Sequence, residues 1–469
     1  MADGAQYDRL NPIDGAVASR TQAMSVAEAR AVADKAAAAF PSWSKTGPTE
    51  RRLLLLKAAD KLETESGELT RVMALETGGS PMWCGFNVHL AAKMLREAAS
   101  STTQITGEVI PSDRPGVIAM GMRQPAGVSL GIAPWNAPII LATRAVAVPL
   151  ACGNTVIMKG SEACPQTHTL LAEIIAGAGF PDGVVNIVTN APKDAAAVVE
   201  ALISHKAVTR VNFTGSTGVG KIIGRLCGEN LKPVLLELGG KSPLVILDDA
   251  DLDLAVNCAA FGAFMNQGQI CMSTERIIVD EKVADAFVAK LVAKAASLPC
   301  GDPRTEKVVL GSLISKEAVD KVQSLIADAT AKGAVLAGGS AKSATIMHAA
   351  VLDKVTSDMK IYHDESFGPV VSVMRGKGDE DIIRLANDSE YGLSSAVITR
   401  DVTRGLKLAR QIESGICHIN GPTVQDEAQM PFGGVKASGV GRFGGRWGIE
   451  FFSETRWVTI ETETPHFPF

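Results

Sequence analysis

The stretch that decides the predicted fold is Val208-Thr-Arg-Val-Asn-Phe213-Thr-Gly-Ser-Thr-Gly-Val-Gly220. It begins as a short apolar run typical of a buried strand and continues into a glycine-rich turn that opens a helix. Glycine at such a turn lets backbone N–H groups approach a phosphate at the helix N-terminus. The stretch therefore predicts a strand–turn–helix unit of a parallel sheet, and a tight turn without a ligand is the alternative.

The same alternation extends along the chain on both sides of this unit. Apolar runs rich in Val and Ile predict strands at residues 127–132, 154–158, 184–188 and 275–279. Helical patterns are present at residues 25–40, 48–62, 167–178, 193–202, 251–267, 283–296 and 316–332. Because parallel strands are joined by helical crossovers, the alternation predicts an α/β fold with helices on both faces of parallel sheets.

Two segments depart from this alternation. Residues 107–122 contain Pro111 and Pro115 and alternate apolar with polar side chains, which predicts a hairpin arm. Residues 455–462 alternate in the same way and predict an edge strand. An edge strand needs a partner, which another subunit can supply.

Composition excludes several classes of protein. With 46% hydrophobic residues among 469, the chain is too apolar to be disordered throughout. Its 46 Lys and Arg against 51 Asp and Glu give a net charge of −5, which offers no global field for nucleic acid. The longest apolar stretch, 128–153, is interrupted by three prolines and Arg144, so no membrane span is expected. Eight cysteines without a CxxC pair predict free thiols in the cytoplasm.

Two motifs resemble ligand loops but lack essential residues. The run from Gly215 to Lys221 nearly matches a P-loop, but Ile222 stands where a hydroxyl would hold Mg²⁺. The acidic run from Asp249 resembles a calcium loop, but Leu254 and Ala260 occupy the required Gly and Glu positions. We therefore expect neither a nucleoside triphosphatase nor a metal site.

Three residues stand out as candidates for chemistry. Cys271 follows a glycine between two glutamines, which indicates a loop, although a lone Cys is more often a small core residue. Glu237 ends an apolar strand, where a desolvated carboxylate with a raised pKa suits a general base; an ion pair with Lys241 is the alternative. Asn136 lies between two prolines, and its amide can either hold an oxyanion or cap the helix that starts near Ile139.

Together these pieces resemble the aldehyde dehydrogenase superfamily over nearly the whole chain, from Asn11 to the C-terminal strand. The motifs that carry the resemblance are Ala133-Pro-Trp-Asn136, Lys159 with Glu162, Phe213-Thr-Gly-Ser216, Glu237-Leu-Gly-Gly240, Gly268-Gln-Ile-Cys271, Glu365-Ser-Phe-Gly-Pro369 and Pro431-Phe-Gly-Gly434. The resemblance implies a Rossmann-like parallel-sheet cofactor domain, an α/β catalytic domain and a small β oligomerisation arm. The implied ranges are 1–106 and 123–236 for NAD binding, 237–444 for catalysis, and 107–122 with 445–469 for the arm and tail.

The resemblance also implies a mechanism. Cys271 would attack an aldehyde as a thiolate and form a thiohemiacetal, which is oxidised to a thioester. The side chain of Asn136 and the backbone N–H of Cys271 would hold the oxyanion. Glu237 would activate the water that hydrolyses the thioester to a carboxylic acid, and its presence favours hydrolysis over transfer to coenzyme A.

Cofactor contacts are implied in the same way. Lys159 and Glu162 match the pair that binds the adenosine ribose, and Glu162 would repel a 2′-phosphate, so NAD is expected and NADP is the alternative. Gly160 stands where a proline is usual, which predicts a looser loop. The remaining cofactor-binding residues implied by the motifs are Trp135, Phe213, Gly215 and Ser216 on the phosphate side, and Glu365 and Phe367 at the nicotinamide ribose.

Within the superfamily the chain most resembles the benzaldehyde, salicylaldehyde and vanillin dehydrogenases of aromatic catabolism. Arg144 follows Asn136 by eight residues, just over two helical turns, so on a helix the two are predicted to share a face. Arg144 is predicted either to direct its charge toward the site or to brace a loop carboxylate. Further substrate-tunnel candidates are Ile139, Ile270, Met272 and the loop 420–430.

Two other functions compete with an aromatic aldehyde dehydrogenase. One is an aliphatic or semialdehyde dehydrogenase of the same superfamily, for which Arg144 is the candidate cation. The other is a catalytically silent structural relative, which the presence of Cys271, Asn136 and Glu237 disfavours. The resemblance implies a small-molecule aldehyde as the partner and a homodimer or homotetramer built through the arm and tail, and we expect no nucleic acid or membrane as a partner.

Overall fold

Strands and helices alternate along most of the chain, and the structure, a computed structural model, describes residues 5–469. The strands are β1 (Gln6–Leu10), β2 (Val17–Gln22), β3 (Glu108–Ile110), β4 (Val117–Pro125), β5 (Val128–Ile132), β6 (Thr155–Lys159), β7 (Val185–Val188), β8 (Val208–Thr214), β9 (Val234–Glu237), β10 (Ser242–Ile246), β11 (Thr274–Asp280), β12 (Val335–Gly338), β13 (Ala350–Asp353), β14 (Val370–Gly376), β15 (Ser394–Ile398), β16 (Ile416–Ile419), β17 (Gly439–Val440) and β18 (Ser453–Glu461). The α-helices are α1 (Val26–Trp43), α2 (Pro48–Thr64), α3 (Ser66–Thr77), α4 (Pro81–Ser101), α5 (Pro138–Ala151), α6 (Pro165–Ala176), α7 (Ala195–Ile203), α8 (Thr217–Glu229), α9 (Leu252–Phe264), α10 (Ala284–Ala296), α11 (Lys316–Ala331), α12 (Lys360–His363), α13 (Gly378–Asn387), α14 (Val402–Ala409) and α15 (Gly445–Phe452).

Most strands belong to two large sheets, each parallel apart from one edge strand. The first sheet has the order β17-β9-β8-β5-β6-β7, and β17 runs antiparallel to β9. The second has the order β12-β13-β14-β11-β10-β15-β16, and β12 runs antiparallel to β13. The parallel-sheet α/β architecture predicted from the sequence is therefore confirmed.

Each large sheet carries a hydrophobic core on both faces. Val156 and Met158 of β6 pack with α2, α4 and α5, whereas Ile157 between them packs with α1 and α7 on the other face. In the second sheet, Leu244 of β10 packs with α9 and α10, and the adjacent Val245 packs with α11. Successive side chains of a strand point to opposite faces, so continuous apolar runs are what a sheet covered on both sides requires.

Local sequence signals mark where the helices begin and end. Ser25 and Glu28 form the predicted capping box at the start of α1. Helix α9 ends at Phe264, three residues short of the predicted end, because Asn266 and Gln267 have φ of +48° and +56°. A left-handed backbone cannot continue a right-handed helix, so the prediction for residues 265–267 was wrong.

The predicted hairpin arm and tail form one antiparallel sheet with the order β18-β4-β3. Strand β18 pairs with β4 along its whole length, from Ser453 opposite Pro125 to Glu461 opposite Val117. The buried Asn154 attaches this sheet to the first one, since its side chain accepts from the N–H of Gly127 at 2.9 Å and donates to Phe452 O at 2.7 Å. The domain ranges implied by the resemblance stay a prediction.

No helix within residues 5–469 combines the length and the apolar composition needed to cross a membrane.

Candidate active site

Three neighbouring cavities, which share lining residues, bring most of the candidate residues together. The central cavity, about 250 Å³, is lined by Pro134, Trp135, Asn136, Leu141, Thr214, Gly215, Ser216, Glu237, Gly239, Cys271, Lys321, Glu365 and Phe367. The outer cavity, about 500 Å³, shares Pro134, Trp135, Thr214 and Gly215 with it. The apolar cavity, about 270 Å³, shares Asn136, Leu141 and Cys271. Cys271 and Asn136 therefore lie where the central and apolar cavities meet.

Cys271 is presented by a strained turn that follows α9. Asn266, Gln267 and Gly268 all have positive φ, the last at +72°. A Cβ at Gly268 would lie 2.1 Å from the carbonyl oxygen of Gly368, so only glycine fits there. Six of the eight cysteines are buried, and Cys271 is partly exposed, as is Cys417.

Buried side-chain amides hold this turn in place. Gln267 Oε1 accepts from the N–H of Gly311 at 3.1 Å, and its Nε2 donates to Ser312 O at 2.9 Å. Gln269 Oε1 accepts from the N–H of Ile314 at 2.9 Å. The two glutamines, which at the sequence level indicate only a loop, thus tie that loop to the segment before α11.

Asn136 is positioned by hydrogen bonds on both its side chain and its backbone. Its Nδ2 donates to Gln269 O at 2.9 Å, and its carbonyl oxygen accepts from Trp83 Nε1 at 3.0 Å and Asn266 Nδ2 at 3.1 Å. An amide nitrogen carries two hydrogens, so one remains for a ligand. The capping alternative was wrong, because the N-cap of α5 is Ala137 and no side chain caps it.

Glu237 ends β9 and is fully buried. Neither of its carboxylate oxygens has a hydrogen-bond partner among residues 5–469. The predicted ion pair with Lys241 was wrong, because Lys241 Nζ instead binds Glu275 Oε2 at 2.7 Å. A Cβ at Gly240 would lie 2.2 Å from Cys271 O, so glycine is what lets the segment after Glu237 approach the Cys271 loop.

Burial shifts the acidity of both reacting candidates. Burial raises the pKa of Glu237 to about 7. Burial also raises the pKa of the Cys271 thiol well above its usual value, and the nearby negative charge of Glu237 raises it further. A carboxyl group that titrates near neutral pH suits proton transfer to and from water.

Glu365 and Phe367 form another wall of the central cavity. Glu365 Oε1 accepts from the N–H of Gly240 at 2.8 Å, and burial raises the pKa of Glu365 to about 7. The ring of Phe367 meets that of Trp135 edge-on, with centroids 5.7 Å apart. Buried Glu275 fixes this segment by accepting from the N–H of Phe367 at 3.0 Å.

The outer cavity carries the Lys159–Glu162 pair. Lys159 Nζ binds Glu162 Oε1, which also accepts from Asn190 Nδ2 at 3.0 Å. Phe213 lines this cavity too, and Ser216 is the N-cap of α8.

Hydrogen bonds brace the loop around Gly160, and its looseness relative to a loop with proline at this position stays a prediction. The N–H of Gly160, which a proline would lack, donates to Val188 O at 2.9 Å. The N–H of Ser161 donates to His168 Nδ1 at 2.9 Å. Burial lowers the pKa of His168 to about 4, so the ring is neutral and Nδ1 can accept.

The apolar cavity contains the predicted residues Arg144, Ile270 and Met272, but not Ile139. Ile139 is fully buried in the core, and Ile140 lines the cavity instead, because residues 140 and 144 share one face of α5. Asn136 precedes that helix, so the predicted shared helix face with Arg144 was wrong, although both residues line the cavity.

Several lining residues were missed at the sequence level. They are Met82, Trp83 and Phe86 of α4, Phe261 of α9, Lys321 of α11, and Phe432. Trp83 and Phe86 stack with ring centroids 5.6 Å apart. In the sequence such a pair at helical spacing cannot be told from ordinary core residues. The loop 420–430 was predicted as a whole, and Val424, Gln425 and Asp426 are its residues that line the cavity.

No group of three or more His, Cys, Asp or Glu suited to a metal ion is present in the described part of the chain.

Comparisons with known proteins agree with this geometry. Residues 1–458 match the model of the aldehyde dehydrogenase family. The chain is 58% identical to a vanillin dehydrogenase of Pseudomonas fluorescens, and the match covers 99% of this chain and 96% of that protein. A crystal structure of a salicylaldehyde dehydrogenase from Pseudomonas putida G7, complexed with salicylaldehyde, matches with a TM-score of 0.98 and 49% identity and covers 100% and 97% of the two chains. A crystal structure of a betaine aldehyde dehydrogenase from Staphylococcus aureus in complex with NAD+ matches with a TM-score of 0.94 and 30% identity. The match covers 99% of this chain and 93% of that chain.

Replacing Glu237 by Gln is expected to make Cys271 more acidic, because the carboxylate charge raises the pKa of the thiol. The pH midpoint of Cys271 alkylation by iodoacetamide should fall by about one unit or more in Glu237→Gln, as followed by peptide mass spectrometry. Alkylation of Cys417 is the internal control and should not change. An unchanged or higher midpoint would show that Glu237 acts on Cys271 by accepting its proton instead.

Proposed function

The chain belongs to the aldehyde dehydrogenase family, and on this premise we propose that it oxidises aromatic aldehydes to carboxylic acids with a nicotinamide cofactor. The observation that carries the proposal is the position of Cys271, at the wall between the central cavity and a cavity lined by Trp83, Phe86 and Phe432. Aromatic and apolar walls suit a flat, uncharged ring. The similarity to vanillin and salicylaldehyde dehydrogenases supports the same substrate class.

Cys271 is the proposed nucleophile. Its thiolate attacks the carbonyl carbon of an aldehyde in the apolar cavity, and a C–S bond forms as the carbonyl oxygen becomes an oxyanion. The free hydrogen of Asn136 Nδ2 and the backbone N–H of Cys271 stabilise that charge. Asn136 is held by Gln269 of the Cys271 loop, so nucleophile and amide are positioned by the same segment.

The cavities fit a nicotinamide cofactor. The outer cavity combines apolar walls, from Val199, Val219 and Ile222, with the polar Lys159–Glu162 pair, as an adenosine requires. The central cavity offers Trp135 and Phe367 close to Cys271. We propose that Lys159 and Glu162 bind the adenosine ribose, that Trp135, Phe213, Gly215 and Ser216 contact the phosphate side, and that Glu365 and Phe367 hold the second ribose. When bound, the cofactor supplies the two-electron acceptor that turns the thiohemiacetal into a thioester.

Glu237 is the proposed base for the last step. As a carboxylate it takes a proton from water, which then attacks the thioester carbon, and Cys271 leaves as a thiolate. Its oxygens have no hydrogen-bond partner among residues 5–469, so they are free to bind that water.

We propose NAD rather than NADP as the cofactor. Glu162 is anchored by Lys159 and Asn190 and places a fixed carboxylate in the outer cavity. A 2′-phosphate would face that negative charge, whereas two ribose hydroxyls can donate to it.

We propose that the protein forms a homodimer or homotetramer through the arm and tail. The arm sheet exposes large apolar side chains, including Trp457 at 78% and Val109 at 76%. Its edge strands β18 and β3 also leave backbone groups unpaired along one side within the described residues. The eight cysteines, all within the described residues, are free thiols, which supports a cytoplasmic location.

The proposed function predicts a substrate and cofactor preference. Vanillin and benzaldehyde should give kcat/KM values at least about tenfold above those for hexanal and succinic semialdehyde, and NAD should be preferred over NADP. The measurement is NADH or NADPH formation over this panel. Cys271→Ala is the control and should lose turnover by about a thousandfold or more. Highest kcat/KM for an aliphatic aldehyde or a semialdehyde would replace the aromatic assignment.

Glu237→Gln is expected to separate the two halves of the reaction. NADH should form in a burst of about one per active site, followed by steady turnover slowed roughly 10²- to 10³-fold, because the thioester forms but water is not activated. Stopped-flow absorbance of NADH measures both phases. The unsubstituted enzyme should hydrolyse faster as pH rises through about 7, where Glu237 loses its proton, and the variant should lack this rise. Full steady turnover by the variant would exclude Glu237 as the base.

Trp457→Glu is expected to dissociate the oligomer, because a charge replaces an exposed indole on the arm. Light scattering after size-exclusion chromatography should give a dimer or tetramer for the unsubstituted protein and a smaller species for the variant. Leu231→Glu changes another exposed apolar residue, at 92% exposure and outside the arm, and should leave the mass unchanged. A variant with unchanged mass would place the interface elsewhere.

A further inference from the structure

The apolar cavity has two charged side chains in its lining, and they bind each other. Arg144 Nη2 and Asp426 Oδ2 form an ion pair whose side chains are only 7% and 9% exposed. Arg144 comes from α5, and Asp426 comes from the loop between β16 and β17. The other residues that line this cavity have apolar or uncharged polar side chains, and among them Cys271 is the one that can ionise.

The guanidinium of Arg144 is held from two sides. Its central carbon lies 4.0 Å from the centroid of the Phe432 ring and 5.9 Å from that of Phe443. Asp426 is its one side-chain hydrogen-bond partner within residues 5–469. The aromatic contacts fix the plane of the guanidinium, and Asp426 supplies the opposite charge.

The ion pair with Asp426 limits the ability of Arg144 to bind an anionic ligand. Opposite charges this deeply buried stay together, because separating them leaves an uncompensated charge out of water. A carboxylate on a substrate ring would have to displace Asp426 or lie beside it. Asp426 Oδ1 has no hydrogen-bond partner in the described part of the chain, so its share of the negative charge is not masked by another donor.

We propose that Asp426 sets the charge selectivity of the apolar cavity. By neutralising Arg144 it excludes aldehydes whose ring carries a carboxylate and admits uncharged aromatic aldehydes. The inference rests on the proposed function, and it names the substrate class of that same cavity more narrowly. Arg144 then braces the loop that carries Asp426 and is not an anion receptor.

The opposite charges of Arg144 and Asp426 also act in opposite directions on Glu237. The positive charge of Arg144 lowers the pKa of Glu237, and the negative charge of Asp426 raises it. A substrate carboxylate in this cavity would add a further negative charge beside Cys271 and Glu237. Both the binding and the chemistry of such a substrate are therefore disfavoured.

The test compares two aldehydes of equal shape and different charge. They are 4-carboxybenzaldehyde, an anion at neutral pH, and 4-carbamoylbenzaldehyde, its neutral counterpart. For the unsubstituted enzyme, kcat/KM of the carbamoyl compound should exceed that of the carboxylate about a hundredfold. In Asp426→Asn, which removes the charge but keeps the shape, this ratio should shrink at least about tenfold, because Arg144 becomes available.

Glu427→Gln is the matched control, since it removes the same charge from the next, exposed residue of the loop and should leave the ratio unchanged. If Asp426→Asn does not fold, Asp426→Ser removes the same charge with more space and should shrink the ratio in the same way. A ratio near one in the unsubstituted enzyme would overturn the inference, as would an unshrunken ratio in a folded Asp426 variant. Failure of the proposed function is distinguishable, because then neither aldehyde is oxidised by any of these proteins.

Discussion

Three successive residues with left-handed backbone, Asn266 to Gly268, are the constraint on which the rest of the site depends. For Asn and Gln this conformation costs on the order of 1 kcal/mol or more each, and it persists because the surrounding structure enforces it. The buried amides of Gln267 and Gln269 provide that enforcement through bonds to the backbone of residues 311–314. The turn stops α9, brings Cys271 to the wall between two cavities, and offers the carbonyl that orients Asn136.

Glu237 has an unfavourable free energy of a different origin, the burial of a charge. A buried carboxylate without a hydrogen-bond partner in residues 5–469 opposes folding whenever it is ionised. Its raised pKa means that the folded protein binds this proton more tightly than the unfolded chain, so this group's contribution to stability is lost as pH rises from about 4.5 toward 7. Functional sites bury polar groups without hydrogen-bond partners at a cost in stability. The proposed role of Glu237 in activating water is a reason for such a cost here.

The sequence predicts the architecture well because the relevant signals are local or periodic. Apolar runs of strand length, the capping box at Ser25 and the alternation in the arm each reflect a physical requirement of the element itself. Where the predictions fail, the cause is a tertiary contact between residues far apart in the sequence. Helix α9 ends early because of contacts made by Gln267 with a segment more than forty residues later, and Lys241 finds Glu275 rather than Glu237. For the site, the family motifs name residues that the structure brings together in the central and outer cavities. The lining of the apolar cavity is harder to predict. The face of α5 that carries Ile140 and the loop residue that binds Arg144 both depend on packing that no motif encodes.

The short strand β17 has a consequence for how Glu237 is held. The chain leaves the first sheet after Glu237, builds the second sheet, and returns at Gly439 to pair beside Glu237 itself. The two sheets are thus joined by two neighbouring chain crossings, and the backbone of Glu237 is paired at one of them. A substitution that disturbs the pairing of β17 with β9 would therefore act directly on the backbone that carries the Glu237 carboxylate.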